Sequence, residues 1–309
     1  MQGCSRYAEL HCTTNFSFLQ GGSHPEELVS QAASLGYAAL AITDRVSLSG
    51  VVRAHAAAKE VGIHLVIGAV VEPIDAPPLV LWATNKKGYQ NLCRLLTSGL
   101  LEQGCSKKSK EIDGSDVRDH DPRCLLTADE VAAHADGLLA GLPLSQLRGS
   151  FESAVVSIRA WQDRLGKQLY GLAEVAMEGD DQECLANYAR LSCQTHIPLV
   201  AAGDVRYHSR DRQPLHDALA AVRYGRTVES IQVKLLSNGE RHLQDMKHVV
   251  KRFSILPGAV DRTLEIASRC TFSLDDISYE YPHAVVPSGW TPKEYLSNLA
   301  WKGARKRYD

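Results

Sequence analysis

Short apolar runs alternate with helical patterns along most of the chain. Seven runs, Tyr7 to His11, Ala39 to Thr43, His64 to Val70, Leu79 to Ala83, Gly137 to Gly141, Gln168 to Ala173 and Pro198 to Gly203, are brief, apolar and bounded by Gly, Pro or polar residues. That is the pattern of strands buried on both faces. Between them, apolar positions recur at helical spacing over Pro25 to Leu35, Gly50 to Val61, Gly88 to Leu101, Thr127 to Ala135, Phe151 to Leu165 and Asp181 to Thr195. Ser23 is the expected N-cap of the first helix. Thr127-Ala-Asp-Glu130 spells a capping box, in which the hydroxyl and the carboxylate satisfy otherwise unpaired N–H groups.

Alternating strands and helices predict an α/β fold with a mostly parallel sheet, open or closed into a barrel. Active sites in such sheets lie at the strand C-terminal ends. The stretches to inspect are therefore His11 to Gln20, Thr43 to Arg45, Val70 to Glu72 and Asp204 to His208. From about Arg226 the strand rhythm stops, so a barrel over residues 1–225 and a connector over 226–309 are expected. The connector reads as a turn at Ser237 to Glu240, a helix started by Pro257, an extended stretch from Tyr279 to Pro287 and a basic helix from Pro292 to Arg307. Gln103 to Arg123 is polar and turn-rich, the signature of a surface loop.

Composition narrows the class. The 309 residues are 44% hydrophobic and 23% charged, with 34 Lys plus Arg against 36 Asp plus Glu, an ordinary soluble composition. A net charge of −2 means that nucleic acid would meet a local basic patch, such as the helix Lys293 to Arg307 or the loop Lys107 to Lys110. The longest apolar stretch, Leu65 to Val71, is far short of a membrane span, and the first ten residues have no signal-peptide core, so no membrane role and a cytoplasmic location are expected. The cysteines Cys4, Cys12, Cys93, Cys105, Cys124, Cys184, Cys193 and Cys270 form no C-x-x-C pair and read as reduced thiols.

The chemistry-bearing residues gather at three strand ends. Glu9-Leu-His11-Cys-Thr13 closes the first run, Ala41-Ile-Thr-Asp44-Arg45 the second and Ala201-Ala-Gly-Asp204-Val-Arg206 the seventh, which would set Glu9, His11, Asp44 and Asp204 on one rim. No P-loop and no G-x-S-x-G occurs, so nucleotide hydrolysis and serine-hydrolase chemistry have no footing.

These residues, with YAELHCTTNFSFLQGGSHPEELV (Tyr7 to Val29), GYAALAITDRVSLSGVVRAHAAAKEVGIHLVIG (Gly36 to Gly68), PLVAAGDVRYH (Pro198 to His208), NGERHL (Asn238 to Leu243) and YEYPHAVVPSGWTP (Tyr279 to Pro292), carry a resemblance. The chain resembles the polymerase and histidinol phosphatase (PHP) domain at the N-terminus of bacterial DNA polymerase III alpha subunits. NFSFL followed by SHPEEL is similar to the error-prone branch rather than the replicative one. The resemblance implies a distorted seven-stranded β/α barrel with up to three metal ions held by a ring of His, Asp and Glu that hydrolyses phosphate esters. Carried over position by position, most of that ring is missing. The second histidine of H-x-H is Thr13, the aspartate of the D-G element is Gln20, the histidine of T-D-H is Arg45, and the glutamate after Gly68 is Val70. A further histidine aligns with Pro78, and D-x-H reads Asp204-Val205-Arg206. His11 and Asp204 remain as weak candidate metal ligands, and Glu72 could serve in place of Val70.

Arg45 and Arg206 place fixed positive charge where cations would sit, and guanidinium groups pair well with carboxylates while repelling metals. They are expected within salt-bridge reach of Glu9, Asp44 or Asp204, filling the site. The resemblance thus implies no catalytic residue and no cofactor in this chain, with Mg belonging to the polymerase domain of the full-length family. A polymerase palm domain, absent from these residues, would be the partner, with DNA and other damage-response polymerase components as further candidates. A scaffold role leads; a phosphoesterase or 3′–5′ exonuclease with a rearranged ligand set, and a DNA or protein docking module, are the alternatives.

Overall fold

The computed structural model describes residues 6–105, 125–147, 149–278 and 286–308. Lys107 to Lys110, the rest of the polar stretch from residue 106 to Arg123, and most of the extended stretch from Tyr279 lie outside the described residues. By compactness the chain divides into two units, Met1–Asp276 and Ile277–Asp309.

Seven strands form one sheet in sequential order: β1 (Ala8–Glu9), β2 (Ala39–Arg45), β3 (His64–Val71), β4 (Leu79–Ala83), β5 (Leu138–Pro143), β6 (Leu169–Glu174) and β7 (Leu199–Ala202). The helices of the first unit are α1 (Pro25–Ser34), α2 (Val51–Val61), α3 (Lys86–Cys105), α4 (Ala128–Ala133), α5 (Phe151–Leu165), α6 (Asp181–Thr195), α7 (Gln213–Tyr224), α8 (Met246–Arg252) and α9 (Asp261–Arg269). In the second unit, α10 (Pro292–Tyr308) forms over the basic stretch, with Trp290 packed edge-on against Tyr295. No helix among the described residues is long and apolar enough to cross a membrane. Among those residues Cys12, Cys93, Cys184, Cys193 and Cys270 are free thiols.

The sheet closes on itself. Beyond β1 and β7 the chain pairs across the seam: Cys12 bridges Val205 in parallel, Thr13 N donates to Val205 O at 2.8 Å and Val205 N to His11 O at 2.9 Å. The distorted seven-stranded β/α barrel that the resemblance implies is therefore observed. Its parallel order breaks at β4, which runs antiparallel to both β3 and β5. Seven residues separate β3 from β4 (72–78), fewer than the dozen or so that a parallel crossover needs.

Period-two alternation sorts the strands into two apolar layers. Leu40 and Ile42 face outward against α1 and α2, while Ala39, Ala41, Ala8, Val66, Val80, Leu172 and Ala202 face the barrel interior around Trp82. Small inward residues leave room for that indole, whose Nε1 donates to Leu10 O at 2.8 Å. Gly141 is part of the same fit, since a Cβ there would lie 2.5 Å from the Trp82 ring. At the strand N-terminal end the interior is stoppered by α9: Ile266 and Ala267 join the inner layer, Thr263 Oγ1 accepts from Ala8 N at 3.1 Å, and Arg262 donates to Leu199 O at 2.9 Å. With the bottom closed, the C-terminal mouth is where the barrel's polar residues collect.

Two local expectations are corrected. The N-cap of α1 is His24, not Ser23: Pro25 takes the first helical position and Glu27 reaches back to accept from His24 N at 2.9 Å. Ser23 instead accepts from His208 N at 3.0 Å and ties the α1 entry to the chain after β7. Pro257 and Gly258 form a turn, and the helix starts at Asp261. The capping box at Thr127 and Glu130 forms as expected.

Candidate functional site

At the mouth, the end of β1, the end of β6 and the turn after β7 bring His11, Glu174 and Asp204 together. His11 Nδ1 donates to Glu174 Oε1 at 2.6 Å, and its Nε2 lies 3.8 Å from Asp204 Oδ1. Ser145 Oγ donates to the other Glu174 oxygen at 2.6 Å, so that carboxylate is held from both sides. Asp204 is turned in by a left-handed backbone (φ 44°), a conformation that Asp adopts more readily than most residues. All three are buried.

Two arginines meet on Asp204. Arg206 Nη2 lies 2.7 Å from Oδ1, and Arg241 Nη1 donates to Oδ2 at 2.5 Å. Burial favours the neutral acid, but the two guanidinium groups outweigh it and hold the Asp204 carboxyl below the usual carboxylate range. Burial likewise opposes charging His11, and the Glu174 and Asp204 carboxylates overcome it, raising the imidazole above its ordinary value. Arg241 also reaches Glu178 at 3.6 Å, and Arg206 Nη1 touches Thr13 Oγ1 at 3.5 Å.

Glu9 and Asp44 serve other ends. Tyr7 Oη donates to Glu9 at 2.8 Å, His11 N at 2.9 Å and Gly203 N at 3.1 Å, so this buried carboxylate stitches β1 to the end of β7. Burial raises its pKa despite those donors. Asp44 accepts from Thr14 N at 2.8 Å, Thr14 Oγ1 at 2.8 Å and Ser17 Oγ at 2.7 Å, fixing the loop after β1; burial raises its pKa as well. Both are anchors of backbone turns.

Arg206 meets its expected partner, but Arg45 does not. Arg45 forms a two-pronged pair with Glu72, Nε to Oε1 at 2.7 Å and Nη2 to Oε2 at 2.6 Å, and contacts none of Glu9, Asp44 or Asp204 through that fork. The register explains the choice. Arg45 sits opposite Val70, two residues before Glu72 on the same face, whereas Asp44 is already satisfied by Thr14 and Ser17. Glu72 therefore spends its carboxylate on a guanidinium instead of standing in for a ligand at Val70.

The sequence reading missed Glu174 and Arg241. Glu174 directly follows the sixth apolar run, and the strand-end rule applied to the other runs would have found it. Arg241 lies in the Asn238 to Leu243 motif, and no spacing signals its reach to Asp204. The donor set does not fit the metal ring that the resemblance implies. The two retained positions are engaged by Glu174 and by two arginines, and the remaining positions are Thr13, Gln20, Arg45, Val70, Pro78 and Arg206. Among the described residues no group of three or more His, Cys, Asp or Glu is arranged to hold a metal ion.

The PHP domain family model matches residues 9–175. Over 98% of its length the chain is 42% identical to the error-prone DNA polymerase of Rhodopirellula baltica, covering 26% of that protein. It is also 42% identical over 98% of its length to the error-prone DNA polymerase of Bordetella parapertussis, covering 28% of it. The chain thus spans about a quarter of the length of the curated relatives it matches. Among solved structures, an amidohydrolase from Chromobacterium violaceum with bound sulfate aligns at 18% identity and a TM-score of 0.45, over 66% of this chain and 89% of that one.

Proposed function

The chain belongs to the PHP domain family, and from that premise we propose that it is the PHP module of an error-prone DNA polymerase, a barrel without phosphoesterase chemistry that supports the DNA-synthesising part of such a protein during damage repair and translesion synthesis. The observation that carries this reading is the 42% identity running through 98% of the chain to proteins of that name. The site chemistry supports the non-catalytic half. Hydrolysis of a phosphate ester in this fold draws on metal-bound hydroxide and on cations that neutralise phosphoryl charge, and here guanidinium groups already neutralise Asp204 and Glu72. Of the carboxylates left, Glu174 is held by His11 and Ser145, Glu9 by His11 N and Gly203 N, and Asp44 by Thr14 and Ser17.

In this reading the partner is a polymerase palm domain, any Mg belongs to that domain, and DNA and other damage-response components meet the assembled protein. The module's contribution is rigidity: a barrel closed at the seam, stoppered by α9 and locked at the mouth by internal ion pairs. A chimera tests it. When this chain replaces the matching quarter of the Rhodopirellula baltica polymerase, primer extension should persist, and deletion of the segment should abolish it. Equal extension by the deletion protein would overturn the supporting role. Release of nitrophenol or of 3′-terminal nucleotides by the purified chain with Mn²⁺ would overturn the non-catalytic reading.

A further inference from the structure

The second unit combines exposed aromatic and cationic side chains on one helix. α10 opens on a capping box: Thr291 Oγ1 and Thr291 N donate to Glu294 Oε2 at 2.8 and 3.0 Å, and Glu294 N donates to Thr291 Oγ1 at 3.3 Å. The Thr291 hydroxyl and N–H hold the Glu294 carboxyl below its usual range, so the one carboxylate of the helix is already engaged at its start. Glu294, Ser297, Asn298, Trp301 and Arg305 follow at helical spacing on one face, and with Trp290 they line an open groove of about 570 Å³. Trp290 is 45% and Trp301 67% exposed, whereas the other two tryptophans, Trp82 and Trp161, are fully buried. From Tyr295 to Tyr308 the sequence has four cations, Lys302, Arg305, Lys306 and Arg307, and no acid. An apolar docking face would centre on Leu296 and Leu299, which are exposed as well, but the groove includes neither.

We propose that this face of α10 binds single-stranded DNA. An unpaired base stacks on the indoles of Trp290 and Trp301, Ser297 and Asn298 offer hydrogen bonds to its edge, and Arg305 with the neighbouring cations takes the phosphates. A duplex hides the faces of its bases, so the indoles select the single strand. The charge of the helix fits a polyanion, because its four cations meet no carboxylate of their own segment. The choice of DNA over RNA rests on the polymerase reading; stacking and phosphate pairing at the groove do not.

Titration of the full chain with an oligothymidylate of about 15 nucleotides, followed by tryptophan emission, tests it. Stacking should quench the emission of the two exposed indoles, since Trp82 and Trp161 are shielded inside the barrel unit. Trp301→Ala should weaken binding at least about fivefold and remove most of the quench. Arg305→Gln should keep the quench at saturation and lower the slope of log affinity against log salt by about 0.7. Trp301 and Arg305 are exposed, so both variants should melt with wild type; a lowered melting temperature in either would overturn the proposal by showing the side chain to be structural. It would also be overturned by the absence of any quench at low salt, by equal binding and quench with a blunt duplex of the same length, or by tighter binding of oligouridylate. Self-association that Trp301→Ala abolishes, without DNA binding, would assign the face to a second copy of the chain instead. Primer extension by the chimera is a separate measurement, so failure of this site and failure of the polymerase reading are distinct results.

Discussion

His216 offers a direct reading of the electrostatics around the mouth. It lies on α7, buried, with its ring 5.7 Å from that of Tyr207 and Nδ1 3.9 Å from Asp217 Oδ1. Burial and the nearby Arg206 disfavour its protonation, a bond with the Gln20 backbone and the Asp204 carboxylate oppose them, and Arg241 adds to the first two; the result is a pKa pushed down to about 4. In the unfolded chain the same imidazole titrates near 6.5. As pH falls through 6.5 the unfolded state binds a proton that the native state refuses, so the stability associated with a neutral His216 is full above 6.5 and is lost toward 4. At pH 5 the loss is about 2 kcal/mol, from a difference of about one bound proton over roughly 1.5 pH units at 1.36 kcal/mol per pH unit. His216→Phe retains an aromatic ring beside Tyr207 and removes the titration. Urea unfolding at pH 7.5 and pH 5 should show wild type losing about 2 kcal/mol more than the variant over that interval. His11, whose raised pKa gives stability that is full below its unfolded value and fades as pH rises through its folded one, is common to both proteins and cancels in the comparison. Parallel pH dependences for the two would refute the reasoning, because they would mean that His216 takes up its proton in the native state.

The two mouth arginines should respond differently to one substitution. Arg206→Met leaves Asp204 Oδ1 buried without its partner and should cost about 1–3 kcal/mol in urea unfolding, whereas Arg45→Met breaks a pair whose Glu72 side chain is 42% exposed and should cost at most about 1 kcal/mol; equal costs would contradict the assignment of Arg206 to the buried network. Gly203→Ala would set a Cβ 2.6 Å from Glu9 Oε2 and 3.1 Å from Val205 Cγ2, so a loss of about 1–3 kcal/mol is expected, and a neutral result would show that the seam is looser than these contacts require. Arg45→His, which places a histidine where the resemblance implies one, should confer neither stoichiometric metal by elemental analysis nor phosphatase activity, because Arg206 and Arg241 still occupy Asp204; recovery of either would contradict the non-catalytic reading.

How far the sequence could lead depended on whether a feature is local. The strands were legible because each is buried on both faces, Leu40 and Ile42 against helices and Ala39 and Ala41 against Trp82, so both phases of the alternation are apolar. The reversal at β4 was not read, although the signal is present: no helical pattern separates His64 to Val70 from Leu79 to Ala83, and a short link permits only an antiparallel neighbour. Glu174 follows from the same strand-end rule as Asp204. Arg241 does not follow from any local rule: its backbone is placed by Asn238 on the β6 side and by Arg206 N on the β7 side, contacts that exist only once the barrel has closed.

The same asymmetry explains why a position-by-position carry-over of ligands is silent on what pairs the carboxylates that remain. Thr13, Gln20, Val70 and Pro78 stand where the resemblance would put His, Asp or Glu ligands, and each of those four substitutions is visible in the sequence alone. What now balances the remaining charge is set by distance in the folded chain. Arg45, where the resemblance implies a ligand, turns to Glu72 at the end of the neighbouring strand; Arg241, where it implies none, crosses the mouth to Asp204. A buried carboxylate in a low-dielectric site must be paired, protonated or metallated. With two guanidiniums on Asp204 and a histidine on Glu174, the first of these already holds for the pair, and a bound metal would have to displace cations fixed by the backbone that carries them.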